Sequence, residues 1–318
     1  MPGLPINAKL QLSAALKLHK QGHLDAAEQL YKEILRKDPR HFDALYLLGT
    51  LYFQKGDYEK AETFLQKALR VKEHPSALSN YGLVQVKLKQ PAAALKSFER
   101  AIQLQPDYAE AHNNRGNVLK ELKRLDEALA SYERALQLKP DYAEGHNNRG
   151  NVLMELKRSD EALASYDRAL ALNPNYAEAH NNRGNVLMEL KRFDEALASY
   201  DRALAINHNF AEAHNNRGNV LQLHKRFKKA LESIDRALAL YPDYAEACNN
   251  RGNLLMEVKR FDEALASYDR ALALNPDNAK SCYNRGNVLM LLKRHKEAIA
   301  SYDRALDLDP GNVKACNN

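Results

Sequence analysis

Apolar residues recur along this chain at the three- and four-residue spacing of an α-helix, in paired stretches that a short basic turn separates. In the segment that begins at Ala109, the two stretches cover roughly residues 110–122 and 125–138, with Lys123-Arg124 as the turn and Pro140 after the second stretch. Each pair of stretches therefore predicts a helical hairpin.

The hairpin pattern recurs with a period of 34 residues, so equivalent positions can be compared within one sequence. Six near-identical copies, which we number repeats 4 to 9, occupy residues 109–142, 143–176, 177–210, 211–244, 245–278 and 279–312. Three divergent repeats precede them within residues 8–108, after a lead of residues 1–7, and residues 313–318 match the start of a tenth repeat. We expect one continuous solenoid, because a single hairpin cannot bury its own apolar face.

Small and aromatic residues stand at fixed positions in every repeat. In repeat 4 these are Gly116, Ala128, Tyr132, Ala135 and Pro140. The pattern resembles that of the tetratricopeptide repeat, and the match stays in register over nearly the whole chain. The resemblance implies an all-α fold, a right-handed superhelical solenoid of about nine hairpins whose first helices line the concave side.

Asparagines mark one face of each first helix, where the segment "HNNRGNVL" at His112 recurs almost unchanged. At about 100° per residue, the three asparagines of a copy fall on one face, opposite an apolar arc. The first asparagines of the segment include Asn113, Asn147 and Asn181. The second asparagines are Asn80, Asn114, Asn148, Asn182, Asn216, Asn250 and Asn284. The third asparagines are Asn117, Asn151, Asn185, Asn219, Asn253 and Asn287.

Two interpretations account for these residues, which are poor helix formers. The amides either bridge neighbouring repeats and face water, or they bind an extended peptide, since an amide offers a donor and an acceptor to any peptide unit. We favour peptide binding. The chain also resembles the tetratricopeptide arm of bacterial O-linked N-acetylglucosamine transferase-like proteins, in which a matching asparagine ladder holds peptide backbone. A substrate-recruiting arm of such a glycosyltransferase, whose catalytic domain is absent from this chain, is the alternative to a noncatalytic scaffold.

An arginine lies in the middle of the apolar arc of each first helix, where the family pattern has leucine. An unpaired charge there would be costly, so the sequence predicts a carboxylate partner. Glutamate or aspartate precedes each arginine by 16 residues, in the second helix of the repeat before it. The predicted pairs are Glu99–Arg115, Glu133–Arg149, Asp167–Arg183, Asp201–Arg217, Asp235–Arg251 and Asp269–Arg285.

Histidine or cysteine replaces the family tryptophan at one position of the first helices, as in His112, His146, His180, His214, Cys248, Cys282 and Cys316. A zinc site is disfavoured, because adjacent helices pack about 8 to 10 Å apart and zinc holds its ligands at about 2.0 to 2.3 Å. We expect packing roles. Phosphate-binding loops, dinucleotide fingerprints and nucleophile elbows are absent from the sequence, so we expect no enzyme activity, cofactor or metal.

The distribution of charged residues indicates which class of ligand the chain binds. The basic turns form a column that could attract nucleic acid, but interleaved aromatic residues are missing and charged turns ordinarily solvate a solenoid edge. We therefore expect a protein or peptide ligand, and a basic one, because glutamates share the asparagine face. These are Glu110, Glu121, Glu144, Glu155, Glu178, Glu189, Glu212, Glu246 and Glu257.

Composition and the chain ends complete the prediction. Hydrophobic residues make up 45% and charged residues 28%, which supports a packed core, and no leader or stretch of about 18 apolar residues is evident. We expect a soluble cytoplasmic protein without a membrane span. Because residues 313–318 cannot complete a helix, repeat 9 should lack the cover that earlier repeats receive, which predicts self-association through the C-terminal repeat.

Overall fold

The computed structural model describes residues 6–310, with side chains from Lys9 onward, and within that range it contains eighteen α-helices and no strand. The helices of the divergent repeats are α1 (Ile6–Lys20), α2 (Leu24–Lys37), α3 (Phe42–Gln54), α4 (Tyr58–Val71), α5 (Pro75–Lys87) and α6 (Pro91–Leu104). Those of repeats 4 to 6 are α7 (Ala109–Glu121), α8 (Leu125–Leu138), α9 (Ala143–Glu155), α10 (Ser159–Leu172), α11 (Ala177–Glu189) and α12 (Phe193–Ile206). Those of repeats 7 to 9 are α13 (Ala211–Leu223), α14 (Phe227–Leu240), α15 (Ala245–Glu257), α16 (Phe261–Leu274), α17 (Ala279–Leu291) and α18 (His295–Leu308).

The chain divides into two compact bodies, Met1–Arg158 and Ser159–Asn318. Within each body, every helix packs on the next in sequence, and first helices of successive repeats also touch. The predicted all-α solenoid of helical hairpins is therefore confirmed as the fold class. Helix α1 begins at Ile6, within the expected lead of residues 1–7. Residues 1–5 of that lead, and the tenth repeat at residues 313–318 with Cys316, lie outside the described residues, so self-association through that end stays a prediction.

Close helix contact within a hairpin depends on the small residues that the pattern identified. A Cβ atom added at Gly184 would lie 2.5 Å from the Tyr200 ring, and the equivalent Gly252 is as tightly placed against Tyr268, at 2.6 Å. The tyrosines are buried between the two helices of their hairpin. Glycine is therefore required where the first helix crosses the aromatic ring.

The turn between the two helices of a hairpin uses an unusual backbone conformation. Lysine occupies the left-handed region at this turn in repeats 3 to 9, with φ between 56° and 60°, whereas Gly22 and Gly56 fill it in repeats 1 and 2. The left-handed conformation costs a non-glycine residue roughly 1–2 kcal/mol. Each lysine turn thus stores strain that the first two repeats avoid.

Arginine–carboxylate pairs join successive repeats, as predicted. All six arginines approach the carboxylate that lies 16 residues earlier, at 3.6 Å for Arg115–Glu99 and between 2.5 and 3.0 Å for the others. A serine of the same repeat gives a second contact, for example Ser199 Oγ at 2.7 Å from the Arg183 guanidinium. The arginine side chains remain 21–28% exposed and the carboxylates 41–52%. The expectation of a buried charge is corrected to a half-solvated one, because each second helix leaves its carboxylate at the surface.

Candidate functional site: an amide-lined face of the first helices

The first helices of repeats 7 to 9 share one open face in the second body. Asn219, Asn250 and Asn253 line a cavity of about 500 Å³ on α13 and α15. Asn253 also lines an adjoining cavity with Asn284 and Asn287 of α17. The second and third asparagines of successive repeats therefore form a common surface, as the helical periodicity predicted.

The first asparagines do not belong to that surface. Asn113, Asn147 and Asn181 are 0%, 5% and 1% exposed, and their equivalents Asn215 and Asn249 are buried as well. The amide nitrogen of Asn181 donates to Glu212 Oε1 at 2.9 Å, and that of Asn215 lies 3.3 Å from Glu246 Oε1. The expectation that all three asparagines share an open face is corrected here, because the next first helix covers the first asparagine.

The second asparagines use their amide donors to hold the preceding repeat. Asn148 Nδ2 donates to Asn113 Oδ1 at 3.2 Å, and Asn250 Nδ2 donates to Asn215 Oδ1 at 3.0 Å. Asn216 Nδ2 lies 3.2 Å from Asn181 Oδ1 and 3.0 Å from Asn185 Oδ1, while Asn284 Nδ2 donates to Asn253 Oδ1 at 2.9 Å. In repeat 3, Asn80 reaches Tyr46 and Thr50 instead. The second asparagines thus do bridge repeats, which was one of the two interpretations of the sequence.

The third asparagines accept a hydrogen bond from the buried tyrosine of their own hairpin. The hydroxyls of Tyr132, Tyr200, Tyr268 and Tyr302 donate to Asn117, Asn185, Asn253 and Asn287 at 2.7–2.8 Å. Burial raises the pKa of Tyr132, Tyr200 and Tyr268 well above the ordinary value, so each hydroxyl keeps its proton. The signal for this bond in the sequence is a fixed spacing of 15 residues between asparagine and tyrosine.

Four asparagines of the open face use only one half of the side-chain amide within the protein. Asn250 and Asn284 donate through Nδ2, while their Oδ1 atoms accept no hydrogen bond from the described residues. Asn185 and Asn253 show the opposite arrangement, with Oδ1 engaged and Nδ2 without an acceptor among those residues. All four side chains are half-buried. The face therefore offers acceptors from Asn250 and Asn284 and donors from Asn185 and Asn253.

The remaining predicted asparagines follow the same placement. Asn114 and Asn182 among the second asparagines, and Asn151 and Asn219 among the third, are half-buried. Asn219 differs from its equivalents, since Ile234 occupies the position of the tyrosine and supplies no hydroxyl.

Most of the glutamates that suggested a basic ligand already have partners. Glu110 contacts Lys139 and Glu155 contacts Lys123, at 3.0 and 2.9 Å. Glu189 accepts a hydrogen bond from Ser159 Oγ at 3.1 Å, while Glu212 and Glu246 face the buried asparagine amides. Their negative charge serves the repeat junctions at least in part.

The histidine and cysteine column packs inside the array. His112, His180 and His214 each place Nε2 3.0–3.1 Å from a backbone carbonyl at the end of the preceding repeat, and burial lowers the pKa of all three. Cys248 and Cys282 are buried, which raises the pKa of their thiols. Among the described residues, no group of three histidine, cysteine, aspartate or glutamate side chains could hold a metal ion.

Family comparisons match this architecture. Models described as "Tetratricopeptide repeat" match residues 18–79, 147–210, 211–244 and 249–313, and one described as "TPR repeat" matches 82–123 and 116–157. The chain belongs to the tetratricopeptide repeat family. Its helical-repeat scaffold is one suited to protein interaction.

Comparison with individual proteins supports the fold. The human protein O-mannosyl-transferase TMTC2 is 35% identical over 92 residues, which are 28% of this chain and 11% of that protein. A chain of the APC/C hetero-tetramer Cut9–Hcn1 has a TM-score of 0.64 at 14% identity, covering 98% of this chain and 82% of its own. Pseudomonas aeruginosa pilF has a TM-score of 0.60 at 21% identity, covering 66% and 95%. At these identities the two structures show the fold alone.

None of the helices that the structure describes is both long enough and apolar enough to cross a bilayer.

Proposed function

We propose that the amide-lined face of the first helices binds an extended peptide segment of a protein partner through the peptide backbone. The observation that carries the proposal is that Asn250 and Asn253 each use only one half of the side-chain amide within the protein. Asn250 keeps its acceptor open and Asn253 keeps its donor open, one turn apart on α15.

A peptide unit has one donor and one acceptor, which matches this arrangement irrespective of side chain. An extended chain presents both groups along its length, whereas a helix satisfies its own. The amides are also held in place, because the tyrosine hydroxyl and the neighbouring repeat fix the engaged half of each one. Preorganised groups lose less conformational entropy when a ligand binds.

A preference for basic peptides is a weaker part of the proposal. It rests on Glu121, Glu144, Glu178 and Glu257, which have no partner among the described residues, while five other glutamates of the face are engaged. We expect a modest basic preference along repeats 4 to 6, which carry three of these four glutamates, and we expect it to decrease with added salt.

The same face would serve the alternative function, substrate recruitment for a glycosyltransferase. The local likeness to a protein named as an O-mannosyl-transferase is consistent with that alternative, but it covers 11% of that protein. Peptide binding by these repeats alone is common to both proposals and is therefore the property to test first.

Replacement of third asparagines by aspartate isolates the open donor. In Asn185→Asp and Asn253→Asp the carboxylate retains an oxygen for the neighbouring amide and for the tyrosine hydroxyl, whereas in Asn219→Asp there is no such contact to retain. Only the outward-facing donor is lost. Each lost hydrogen bond is worth about 0.5–1.5 kcal/mol, so the triple variant should bind an uncharged serine–alanine peptide at least about tenfold more weakly by fluorescence anisotropy.

Negative charge alone needs a matched control. Met188→Glu and Met256→Glu introduce carboxylates one turn along the same first helices and leave the third asparagines intact. We expect these variants to bind the uncharged peptide as the unmodified protein does, with unchanged helical circular dichroism. Equal affinity of the aspartate triple variant and the unmodified protein would refute the backbone-binding proposal.

A further inference from the structure

Repeat 7 departs from its near-identical neighbours at positions that meet around one cavity. The cavity, of about 500 Å³, is open to solvent and is lined by Asn219, Leu223, Lys225 and Phe227 of repeat 7, with Glu257 of repeat 8 and Lys280 of repeat 9. These residues belong to the second body, on the face that carries the open amides.

An apolar surface replaces a carboxylate in this cavity. Leu223 is 55% exposed, and its equivalents in repeats 4, 5, 6 and 8 are glutamates. Phe227 lies at the start of α14 and lines the same space. Burial of an exposed leucine side chain stabilises a complex, since removal of apolar area from water contributes about 25 cal/mol per Å². The cavity thus provides a contact for an aliphatic side chain that the neighbouring repeats lack.

Positive charge has also replaced negative charge around the cavity. Lys280 stands where repeats 4 to 8 have glutamate, and neither Lys280 nor Lys225 forms an ion pair among the described residues. Positive charge also replaces negative charge in the first turn of α14, which follows Lys225. Lys228 and Lys229 replace an acidic pair, so Arg226 lacks the glutamate that Arg192 of repeat 6 contacts at 2.7 Å. Glu257 is the one carboxylate in the wall, against two lysines.

The amide of Asn219 is less engaged than those of the other third asparagines. Because Ile234 replaces the tyrosine, Asn219 has both its donor and its acceptor without a partner among the described residues. An extended peptide could therefore exchange two hydrogen bonds with this one side chain, whereas Asn185 offers only its donor.

We propose that this cavity is the specificity site of the array, and that it takes an aliphatic side chain of an extended peptide with carboxylates two residues to either side. The spacing follows from β-strand geometry, in which residues i and i+2 point to the same face. This proposal rests on the proposed peptide-binding function. It adds a fixed position of the peptide along the face, which contacts to the peptide backbone alone do not provide. Asparagines recur on this face from repeat 4 onward, and Lys225 has an equivalent in each of those repeats, but only this cavity combines Leu223 with Lys280.

Four labelled peptides with a common serine–alanine background test the site. The first carries Asp-Ser-Leu-Ser-Asp at its centre, the second replaces leucine by serine, the third replaces both aspartates by lysine, and the fourth has serine at all three positions. We expect the first peptide to bind at least about tenfold more tightly than the second or the third. The advantage over the third should shrink with added salt, since exposed charges are screened.

Two variants introduce the glutamate that repeats 4, 5, 6 and 8 carry at both positions. Leu223→Glu and Lys280→Glu should each reduce the advantage of the first peptide to about threefold or less, while affinity for the fourth peptide stays unchanged. Ile299→Glu is the matched control, since Ile299 is 59% exposed on α18 and lines neither amide cavity. It should leave all four affinities as they are. Unchanged melting curves would exclude altered folding.

The outcomes separate this proposal from the function on which it rests. Equal binding of all four peptides to the unmodified protein would overturn the specificity site and leave general peptide binding standing. Retention of the full advantage in Leu223→Glu would also overturn it. No binding of any peptide would overturn both proposals.

Discussion

Repeats 6 and 7 have nearly the same framework and different open faces. In both, the first-helix arginine lies 2.6 Å from the carboxylate of the preceding repeat, and the first asparagine is buried against the next glutamate. Repeat 6 has Glu189, Glu195 and Tyr200 where repeat 7 has Leu223, Lys229 and Ile234.

The contrast shows which parts of a repeat are constrained. Junction contacts involve two repeats at once, so a change on one side leaves a polar group without its partner. An exposed residue such as Leu223, which is 55% exposed, has no partner in the adjacent repeat and can differ without disturbing the stack. Repeat 7 therefore retains the scaffold and presents a different surface.

The largest expected effect concerns the buried residue between the helices. Tyr200→Ala should lower the free energy of unfolding by about 3–5 kcal/mol, and Ile234→Ala by about 2–5 kcal/mol, because each leaves a cavity. Loss of Tyr200 also leaves Asn185 without its 2.7 Å donor, so we expect the tyrosine change to be the more costly. Native-state hydrogen exchange of α11 to α14 would measure both locally. A larger cost at Ile234 would contradict the comparison.

The strained turns should respond in the opposite direction. Lys191→Gly and Lys225→Gly place glycine at φ values of 58° and 56°. Each should raise the free energy of unfolding by about 0.5–1 kcal/mol, because relief of left-handed strain exceeds the entropy that glycine loses on folding. Alanine at either position keeps the strain and should give no gain. Only Lys225→Gly should weaken binding of the acidic leucine peptide, which distinguishes the two repeats.

The arginine pairs should behave alike in both repeats. Double-mutant cycles on Arg183–Asp167 and Arg217–Asp201 should each give a coupling energy of about 0.2–1 kcal/mol, since both carboxylates are half exposed. Chemical denaturation with alanine variants would supply the values. A coupling energy near 3 kcal/mol would show that water does not reach the pair. A clear difference between the two coupling energies would contradict the conclusion that repeats 6 and 7 share the same junction.

The smallest expected effect is the pH dependence of stability that the histidines of repeats 6 and 7 contribute. Burial lowers the pKa of His180 and His214, so the unfolded chain binds a proton more readily than the folded chain. Stability should therefore fall as pH decreases through the ordinary histidine range near 6.5. Repeat 8 has Cys248 at this position, and His180→Cys or His214→Cys should reduce the slope of stability against pH equally. A steeper slope in either variant would contradict the assigned direction.

Much of the architecture could be predicted from the sequence, because a repeated sequence contains its own alignment. The 34-residue period located the hairpins, and comparison between copies identified the carboxylate partner of Arg149 and its equivalents. The degree of burial of these pairs could not be predicted. It depends on how far the second helix that carries the acid extends into solvent.

The roles of the asparagines show the same division. By itself, the sequence determined that they share a helical face, since the angle between residues is fixed by the helix. Only the tertiary structure decided that Asn181 is buried, that Asn216 donates to its neighbour and that Asn185 keeps a free donor. Those differences arise where the next first helix and the Tyr200 hydroxyl approach the face. A helical pattern fixes direction around one axis, whereas burial and hydrogen bonding depend on the distance to a second helix.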